Sequence, residues 1–417
     1  MPLRIIHNPP RYYPAISGAE FYLERMSELL RKVHDVAVHC TNALDFAAFS
    51  SLTGKIVVPR KVPERINEVQ VFRHSIDHDP AVIRDERALL ARSLAGAAPE
   101  AIQDALDAGP ASRGLRLALE ASNPGIIHAT CFPYQNILVS LHVARSKHVP
   151  CVVTPFVHFE NTRYQKPSIA VLDLFDRVLA CSQAEKAYLM AHGVHENKID
   201  VITMGVDENR LARAPARPFI AETGVDPARH EIVLFSGYKN FEKGAISLLR
   251  AVPLVAARFK NLKLVMIGPP TKQYNMEMAN LGTLKHHVVN LNPASLSGYY
   301  DKVKLGAFQA CHVYAMPSRS DAYGIAYLEA FACKKPIIAA SIPAMLERFP
   351  EGDGCLHVPF DDHQQLADKI IHLLDDKAAC RELGTRGHDK IHEEGLTWQD
   401  VAARVDRIYA DAADRVH

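Results

Sequence analysis

The sequence predicts a parallel α/β protein made of two doubly wound domains, and three observations carry that prediction. Short apolar β-rich runs alternate with amphipathic helical patterns nearly end to end, as parallel strands joined by crossover helices require. The 417 residues exceed what one core serves comfortably, since chains split beyond roughly 250–300 residues. The rhythm also breaks after Gly205-Val206-Asp207, in a segment carrying Pro215, Pro218 and Pro227, before a second β/α series begins.

In the first series, strands are expected at Leu3–His7, Asp35–Cys40, Lys55–Val58, Gly125–His128, Cys151–Thr154, Arg177–Cys181 and Ile199–Thr203. Continuous apolar runs such as Cys151-Val152-Val153 suit strands buried on both faces. Helices fit Gly18–Val33, Gln135–Ser146 and Gln183–His192. Asp79 to Ser122 is a long Ala/Leu/Arg-rich stretch and reads as an insertion of two or three helices outside the sheet. Asn209–Arg229 has little periodicity and reads as an inter-domain linker. The second series places strands at Glu231–Ser236, Leu262–Gly268, His287–Leu291, His312–Met316, Pro336–Ala340 and Leu356–Pro359. Pro253 should kink or end the helix after Lys243. The helix His363–Leu374 aligns Leu366, Ile370, Ile371 and Leu374 on one stripe. These readings give a first domain over 1–207, with its insertion at about 79–122, and a second over 208–396.

Composition narrows the function. Hydrophobic residues at 48% and charged residues at 23% exclude wholesale disorder. Forty-eight basic against 47 acidic side chains leave a net charge of +1, which argues against nucleic acid as a partner. Eight cysteines with no Cys-x-x-Cys spacing read as reduced thiols, hence a cytoplasmic protein. No apolar run approaches the ~18 residues of a membrane span. The first residues are too briefly apolar for a signal peptide. The Gly18–Val33 helix balances Glu20, Glu24 and Glu28 against Arg25, Arg31 and Lys32, so nothing supports peripheral membrane contact.

Three segments have the chemistry of a ligand site. In Pro317 to Ala330 a strand runs through a loop into a helix. Gly324 permits close backbone approach, and the N–H groups that open the helix form an anion site. Asp321 and Glu329 flank that site with carboxylates able to accept hydrogen bonds from sugar hydroxyls. An ordinary strand–loop–helix with two solvated acids is the alternative. The second segment, Phe235 to Gly244, ends a strand at Gly237 and brings Lys239 and Lys243 to a helix start, which suits a phosphate. The third, Pro14 to Glu20, is a small-residue turn entering a helix after the first strand. No G-x-G-x-x-G occurs, which disfavours a dinucleotide-dependent dehydrogenase.

In shared order and spacing these segments resemble the retaining glycosyltransferases of family 4, which have the GT-B fold. Ser17-Gly18-Ala19-Glu20 is similar to the family's Gly-Gly-Ala-Glu turn. Ser182-Gln183-Ala184-Glu185 and Gly205-Val206-Asp207 match its mid-chain landmarks. Gly237 through Lys243-Gly244 matches G-R-x4-K-G, and Asp321-x7-Glu329 matches E-x7-E. The run from Ala330 to Pro336 matches A-C-G-K-P. Tyr238 stands in place of the family's Arg, Asp321 in place of Glu, and Lys334 in place of Gly.

The resemblance implies two Rossmann-like domains facing a central cleft, with a final helix over 397–417 crossing back to the first. It implies transfer of a sugar, with retention and without metal or cofactor. The donor would be a nucleotide-diphosphate sugar and the acceptor a hydroxyl on a saccharide, glycolipid or small molecule. Glu329 would then accept from the ribose hydroxyls, while Asp321 and the backbone of Tyr323, Gly324 and Ile325 would meet the donor sugar and distal phosphate. Lys243, with Lys239, would neutralise the pyrophosphate beside Gly237, and Gly18 would close over it from the first domain. His158 would face the donor sugar, with His128 as a competitor for that role. Acceptor specificity would sit in Arg11-Tyr12-Tyr13 and in the 79–122 segment. A non-catalytic nucleotide-sugar-binding GT-B protein is the alternative, fed by Tyr238 and Asp321; a GT-B epimerase or phosphorylase is another.

His388 and His392 stand at i and i+4 on a charged helix, but the pair reads as a solvated face and no metal site is assigned. Asp361-Asp362 and Asp375-Asp376 read as surface turns or helix ends.

Overall fold

The computed structural model describes residues 2–415 apart from 16, 61, 96–98, 159–163, 165–166, 293–295, 297 and 322. Ile16 of the first turn, Ala322 of the Asp321–Gly324 loop, and Phe159 and Glu160 beside His158 therefore lie outside the described residues. The chain divides into two compact units, Met1–Thr203 with Trp398–His417, and Met204–Thr397.

Unit 1 runs β1 (Arg4–Asn8), α1 (Gly18–Leu30), β2 (Asp35–Thr41), β3 (Glu64–Ile66), β4 (Val69–His74), α2 (Pro80–Ser93), α3 (Pro99–Ala108), α4 (Arg113–Ala121), β5 (Ile126–Thr130), α5 (Asn136–Lys147), β6 (Cys151–Thr154), β7 (Arg177–Ala180), α6 (Gln183–Ala191) and β8 (Ile199–Val201). The strands order β3-β4-β2-β1-β5-β6-β7-β8. The pairing is parallel except between β3 and β4. The strand order reverses between β1 and β5, which opens a crevice at their carboxyl ends.

One expectation for unit 1 is corrected. Lys55–Val58 is not a strand: Ile56 makes an isolated bridge to Ala43, and Val58 is 78% exposed. The edge of the sheet is instead the hairpin β3–β4, whose two turn residues, Asn67 and Glu68, both have positive φ. The 79–122 segment forms three helices outside the sheet, and they pack into the core of unit 1. Leu90, Ile102, Leu106, Leu115 and Leu119 bury their side chains in the same core as Ile6, Ile127 and Val153. In the Arg11-Tyr12-Tyr13 loop, Arg11 and Tyr12 are buried, and Arg11 Nη2 pairs with Glu20 Oε1 at 2.7 Å.

Unit 2 runs α7 (Glu208–Ala212), α8 (Arg217–Thr223), β9 (Glu231–Ser236), α9 (Ala245–Arg258), β10 (Leu262–Ile267), α10 (Lys272–Asn280), β11 (Val288–Leu291), α11 (Lys302–Ala310), β12 (Val313–Met316), α12 (Ile325–Ala332), β13 (Ile337–Ala340), α13 (Pro343–Arg348), β14 (Cys355–Val358), α14 (His363–Asp375) and α15 (Lys377–Glu393). Its all-parallel sheet orders β11-β10-β9-β12-β13-β14, so the switch lies between β9 and β12.

Here too the periodicity misleads in places. The supposed linker holds two short helices, and α8 buries Phe219 completely. Pro253 sits inside α9 without ending it, because Leu248, Leu249, Val252 and Val255 are all buried along that helix. On α14 the buried stripe is Leu366, Ala367, Ile370, Leu373 and Leu374, and Ile371 is half-exposed. On α15, the His388 side chain is 14% exposed, so the His388/His392 pair is not a uniformly solvated face.

The last helix, α16 (Trp398–Asp414), belongs to unit 1 and buries Trp398, Val401, Val405 and Tyr409 there. The Tyr409 hydroxyl bonds both His7 Nε2, at 3.1 Å, and His128 Nδ1. His7 and His128 are register partners on β1 and β5. Burial pushes His7 down to about 3 and His128 well below the usual histidine range. His128 also pairs with Thr154 Oγ1 at 2.8 Å. It is therefore a core histidine and does not compete for a catalytic role. Among the described residues no helix is long and apolar enough to cross a membrane.

Candidate functional site

The two sequence segments richest in ligand chemistry come off adjacent strands at the switch point of unit 2, which is where open α/β sheets place ligands. Residues 237–244 follow β9, and residues 317–324 follow β12 and lead into α12. The two loops are tied together at four points. Lys243 Nζ donates to Asp321 Oδ2 at 2.7 Å and to Ser320 O at 3.4 Å. Arg319 N donates to Glu242 O at 2.7 Å, and the Arg319 guanidinium grips the Glu242 carboxylate through Nε at 2.9 Å and Nη2 at 2.6 Å. That bidentate geometry fixes orientation as well as distance.

Two glycines make this arrangement possible. Gly244 caps α9 at φ +73°, and a Cβ there would lie 2.5 Å from Pro317 O, so one loop packs on the other through a missing side chain. Gly324 caps α12 at φ +81°, where a Cβ would meet the Tyr327 ring at 2.4 Å. With Gly324 in this conformation, the backbone turns directly into Ile325 and leaves the first N–H groups of α12 without helical acceptors. Tyr323, just before, is buried with its ring 4.6 Å from the Arg348 guanidinium.

Glu329 lies one turn into α12 and is 2% exposed. Its Oε1 accepts from Lys304 Nζ at 2.7 Å, while its buried Oε2 has no hydrogen-bond partner. Burial raises its carboxyl pKa, with the Lys304 charge working against that. Lys304 also donates to Tyr299 O at 3.2 Å and lies 3.6 Å from the Tyr299 ring centroid. The sequence offers no sign of this partner, because it sits 25 residues upstream on a different helix.

Lys239, expected to face a phosphate beside Lys243, does something else. It is 2% exposed, and its Nζ donates to Asn290 Oδ1 at 3.0 Å and Leu291 O at 3.4 Å, at the end of β11. Burial pulls its pKa down to about 8. Tyr238, at the position of the family's Arg, is 53% exposed. Gly237 sits close under Met316, whose Sδ a Cβ would approach to 3.3 Å.

The remaining predicted residues are in unit 1. Gly18 is the first residue of α1, after Ser17, whose hydroxyl bonds the Glu20 carboxylate. His158 follows β6, half-buried, with its ring centroid 5.7 Å from that of Tyr164. The His158 loop is held by Glu185, whose carboxylate accepts from Val157 N at 2.8 Å and Cys181 N at 2.6 Å. Ser182 Oγ caps the same helix, accepting from Glu185 N at 3.0 Å. The Ser182–Glu185 landmark thus has a physical meaning as a helix cap that also staples a neighbouring loop.

Residues 16–210 match the family described as Glycosyltransferase Family 4, and residues 217–390 match Glycosyl transferases group 1. The chain belongs to these glycosyltransferases. The fold is GT-B. It superposes on Anabaena HepE, solved in complex with UDP and glucose, at a TM-score of 0.72, with 16% identity and coverage of 98% of this chain and 100% of that one. A sucrose-phosphate synthase from Thermosynechococcus elongatus gives 0.71 at 16% identity, covering 98% of each chain. Among curated glycosyltransferases, the D-inositol 3-phosphate glycosyltransferase of Arthrobacter sp. (strain FB24) is 27% identical over 61% of this chain and 60% of its own length. The phosphatidyl-myo-inositol mannosyltransferase of Mycolicibacterium smegmatis is 28% identical over 50% of each. The chain spans about half to three-fifths of these curated relatives' length. The group 1 match contains both tied loops, the Lys243–Asp321 pair and Glu329.

Proposed function

We propose that this glycosyltransferase-family chain transfers a sugar from a nucleotide-diphosphate sugar to a hydroxyl acceptor, with retention at the anomeric carbon and without a metal ion or cofactor. One observation carries the reading. A cation and a helix N-terminus converge at the switch point, and one turn on, a buried carboxylate keeps one oxygen unpaired.

The chemistry needs those three parts. Negative charge grows on the departing diphosphate as the glycosidic bond breaks, and a preorganised cation and free N–H groups lower that barrier. Lys243 supplies the cation, and its link to Asp321 and Ser320 O holds it in place. The opening turn of α12 supplies the N–H groups. Glu329 Oε2 supplies an acceptor for a ribose hydroxyl, and the Lys304 charge works against the rise in pKa that burial causes. Asp321 and the backbone of Tyr323, Gly324 and Ile325 meet the donor sugar and distal phosphate. Lys239 has no direct part in the donor site in this scheme, because its ammonium is already engaged. Gly18 and His158 act from unit 1 as the family resemblance implies, and retention follows that same resemblance.

UDP is the first nucleotide to try, because it is the one in the HepE complex. Inositol phosphates and phosphatidylinositol are the first acceptors to try, from the names of the curated relatives. The test is thermal denaturation with UDP-, GDP-, ADP- and TDP-sugars in parallel. A ligand at 100 times its dissociation constant adds about 2.7 kcal/mol of stability. One nucleotide class should raise Tm, and acceptor-dependent turnover should follow with that donor. Silence toward all four would overturn the reading.

A further inference from the structure

Away from these loops, three ligand-type side chains converge on one point of unit 2. Glu208 opens α7, and His388 and His392 stand one turn apart on α15, so their imidazoles share a helix face. Glu208 Oε1 is 3.0 Å from His388 Nε2 and 3.1 Å from His392 Nε2. One donor atom from each residue lies within 4.8 Å of the other two. The side chains are 14%, 18% and 58% exposed for His388, Glu208 and His392, so the cluster has an inner wall and an open side.

We propose that Glu208, His388 and His392 bind one divalent transition-metal ion of the zinc class, with solvent completing the coordination on the His392 side. Two imidazole nitrogens and a carboxylate oxygen suit borderline ions such as Zn2+ or Co2+, whereas Mg2+ and Ca2+ favour all-oxygen sets. Among the described residues, the ion pairs of this carboxylate are with the two imidazoles, and no Lys or Arg neutralises it.

The histidine tautomers separate a metal site from a plain hydrogen-bonded cluster. If both Nε2 atoms donated protons to Glu208, the Nδ1 lone pair of His388 would be left buried, and that atom has no hydrogen-bond partner. It would also face Asp389 Oδ1 at 3.7 Å, lone pair against carboxylate. A metal on Nε2 moves the proton to Nδ1 and turns that contact into an N–H facing a carboxylate, the outer-shell arrangement common to metal-bound histidines. The tautomer that a metal requires is the one His388's surroundings favour. The ion would join the first helix of unit 2 to its last, next to the Val206 N–Leu396 O hydrogen bond of 2.9 Å.

The test uses the full chain, stripped with a chelator and titrated with Co2+ alone, then with Zn2+ as competitor. One Co2+ per chain should bind with a visible ligand-field spectrum, be displaced by Zn2+, and raise Tm. His392→Ala, on the exposed side, and Glu208→Gln should abolish the spectrum while far-ultraviolet circular dichroism stays native. Asp389→Asn should weaken Co2+ by about 10-fold. His286→Ala, an exposed histidine next to the buried His287, should change nothing. No stoichiometric binding would overturn the proposal. So would binding that survives both His392→Ala and Glu208→Gln, or that is lost with His286→Ala.

Discussion

Lys243 Nζ and Asp321 Oδ2 meet at 2.7 Å, and that contact joins the loop after β9 to the loop after β12. The Asp321 side chain is 8% exposed and that of Lys243 23%, so the pair is largely withdrawn from water.

The pair separates catalysis from stability. Lys243→Ala removes the leaving-group cation and takes an ion-pair partner from the buried Asp321, so turnover should fall by roughly 10²-fold or more and Tm should fall with it. Lys243→Met combined with Asp321→Asn removes both charges and should recover most of the Tm with none of the turnover. Calorimetry and an acceptor-dependent release assay check the two halves. Wild-type turnover in Lys243→Ala would remove that lysine from the mechanism.

Lys304 and Glu329 form the more deeply buried pair, at 8% and 2% side-chain exposure. Breaking such a pair from one side typically costs about 3–5 kcal/mol, because the other charge remains buried alone. Lys304→Met should therefore lower the urea midpoint sharply and blunt the thermal response to nucleotide. Lys304→Met with Glu329→Gln should cost less than either single change, a non-additivity that a double-mutant cycle reads directly.

The buried histidines set a pH limit for unit 1. Their folded pKa values lie below the ordinary 6.5, about 3 for His7 and well below 6.5 for His128. Between the folded and unfolded values the unfolded chain binds more protons, so stability is complete above about 6.5 and falls as pH drops toward 3. Tm should decline over that window. His128→Asn, which cannot take up a proton, should decline less steeply between pH 6.5 and 4.5, although its Tm at neutral pH will be lower. Parallel slopes for the two proteins would show that His128 is not buried neutral.

Gly244→Ala tests the contact between the loops. The new Cβ meets Pro317 O at 2.5 Å, at a φ of +73°. The loss should exceed the ~1 kcal/mol that such a change gains where it fits. Because the displaced atom begins the 317–324 loop, turnover should fall further than the urea midpoint alone would account for.

How much of this was legible in the sequence depended on distance along the chain. Strands such as β9, β12 and β13 were plain because each holds a continuous apolar run, and β9 lies where its pattern places it. The β3–β4 edge was not, since its strands alternate buried and exposed residues and its turn is Asn67-Glu68, where glycine is the usual second residue. Lys55–Val58 had the β-branched composition of a strand but no partner beyond one bridge. For the site, Asp321, Lys243 and Glu329 announced themselves by spacing, whereas Lys304, Arg319 and Glu242 act through contacts that spacing does not encode. Lys239 looked like a surface cation until its acceptors at the end of β11 were known. The Glu208–His388 approach spans 180 positions, which no local pattern reveals.

The return of α16 to unit 1 has a consequence for biosynthesis. Residues 204–397 form one uninterrupted stretch and can complete their fold as soon as they clear the ribosome. The earlier-made unit cannot, because His7 and His128 wait for the hydroxyl of Tyr409 and Phe21 waits for Trp398, 5.5 Å away between ring centroids. The half of the protein translated first is therefore finished last, because the helix that closes it is translated only after the whole of unit 2.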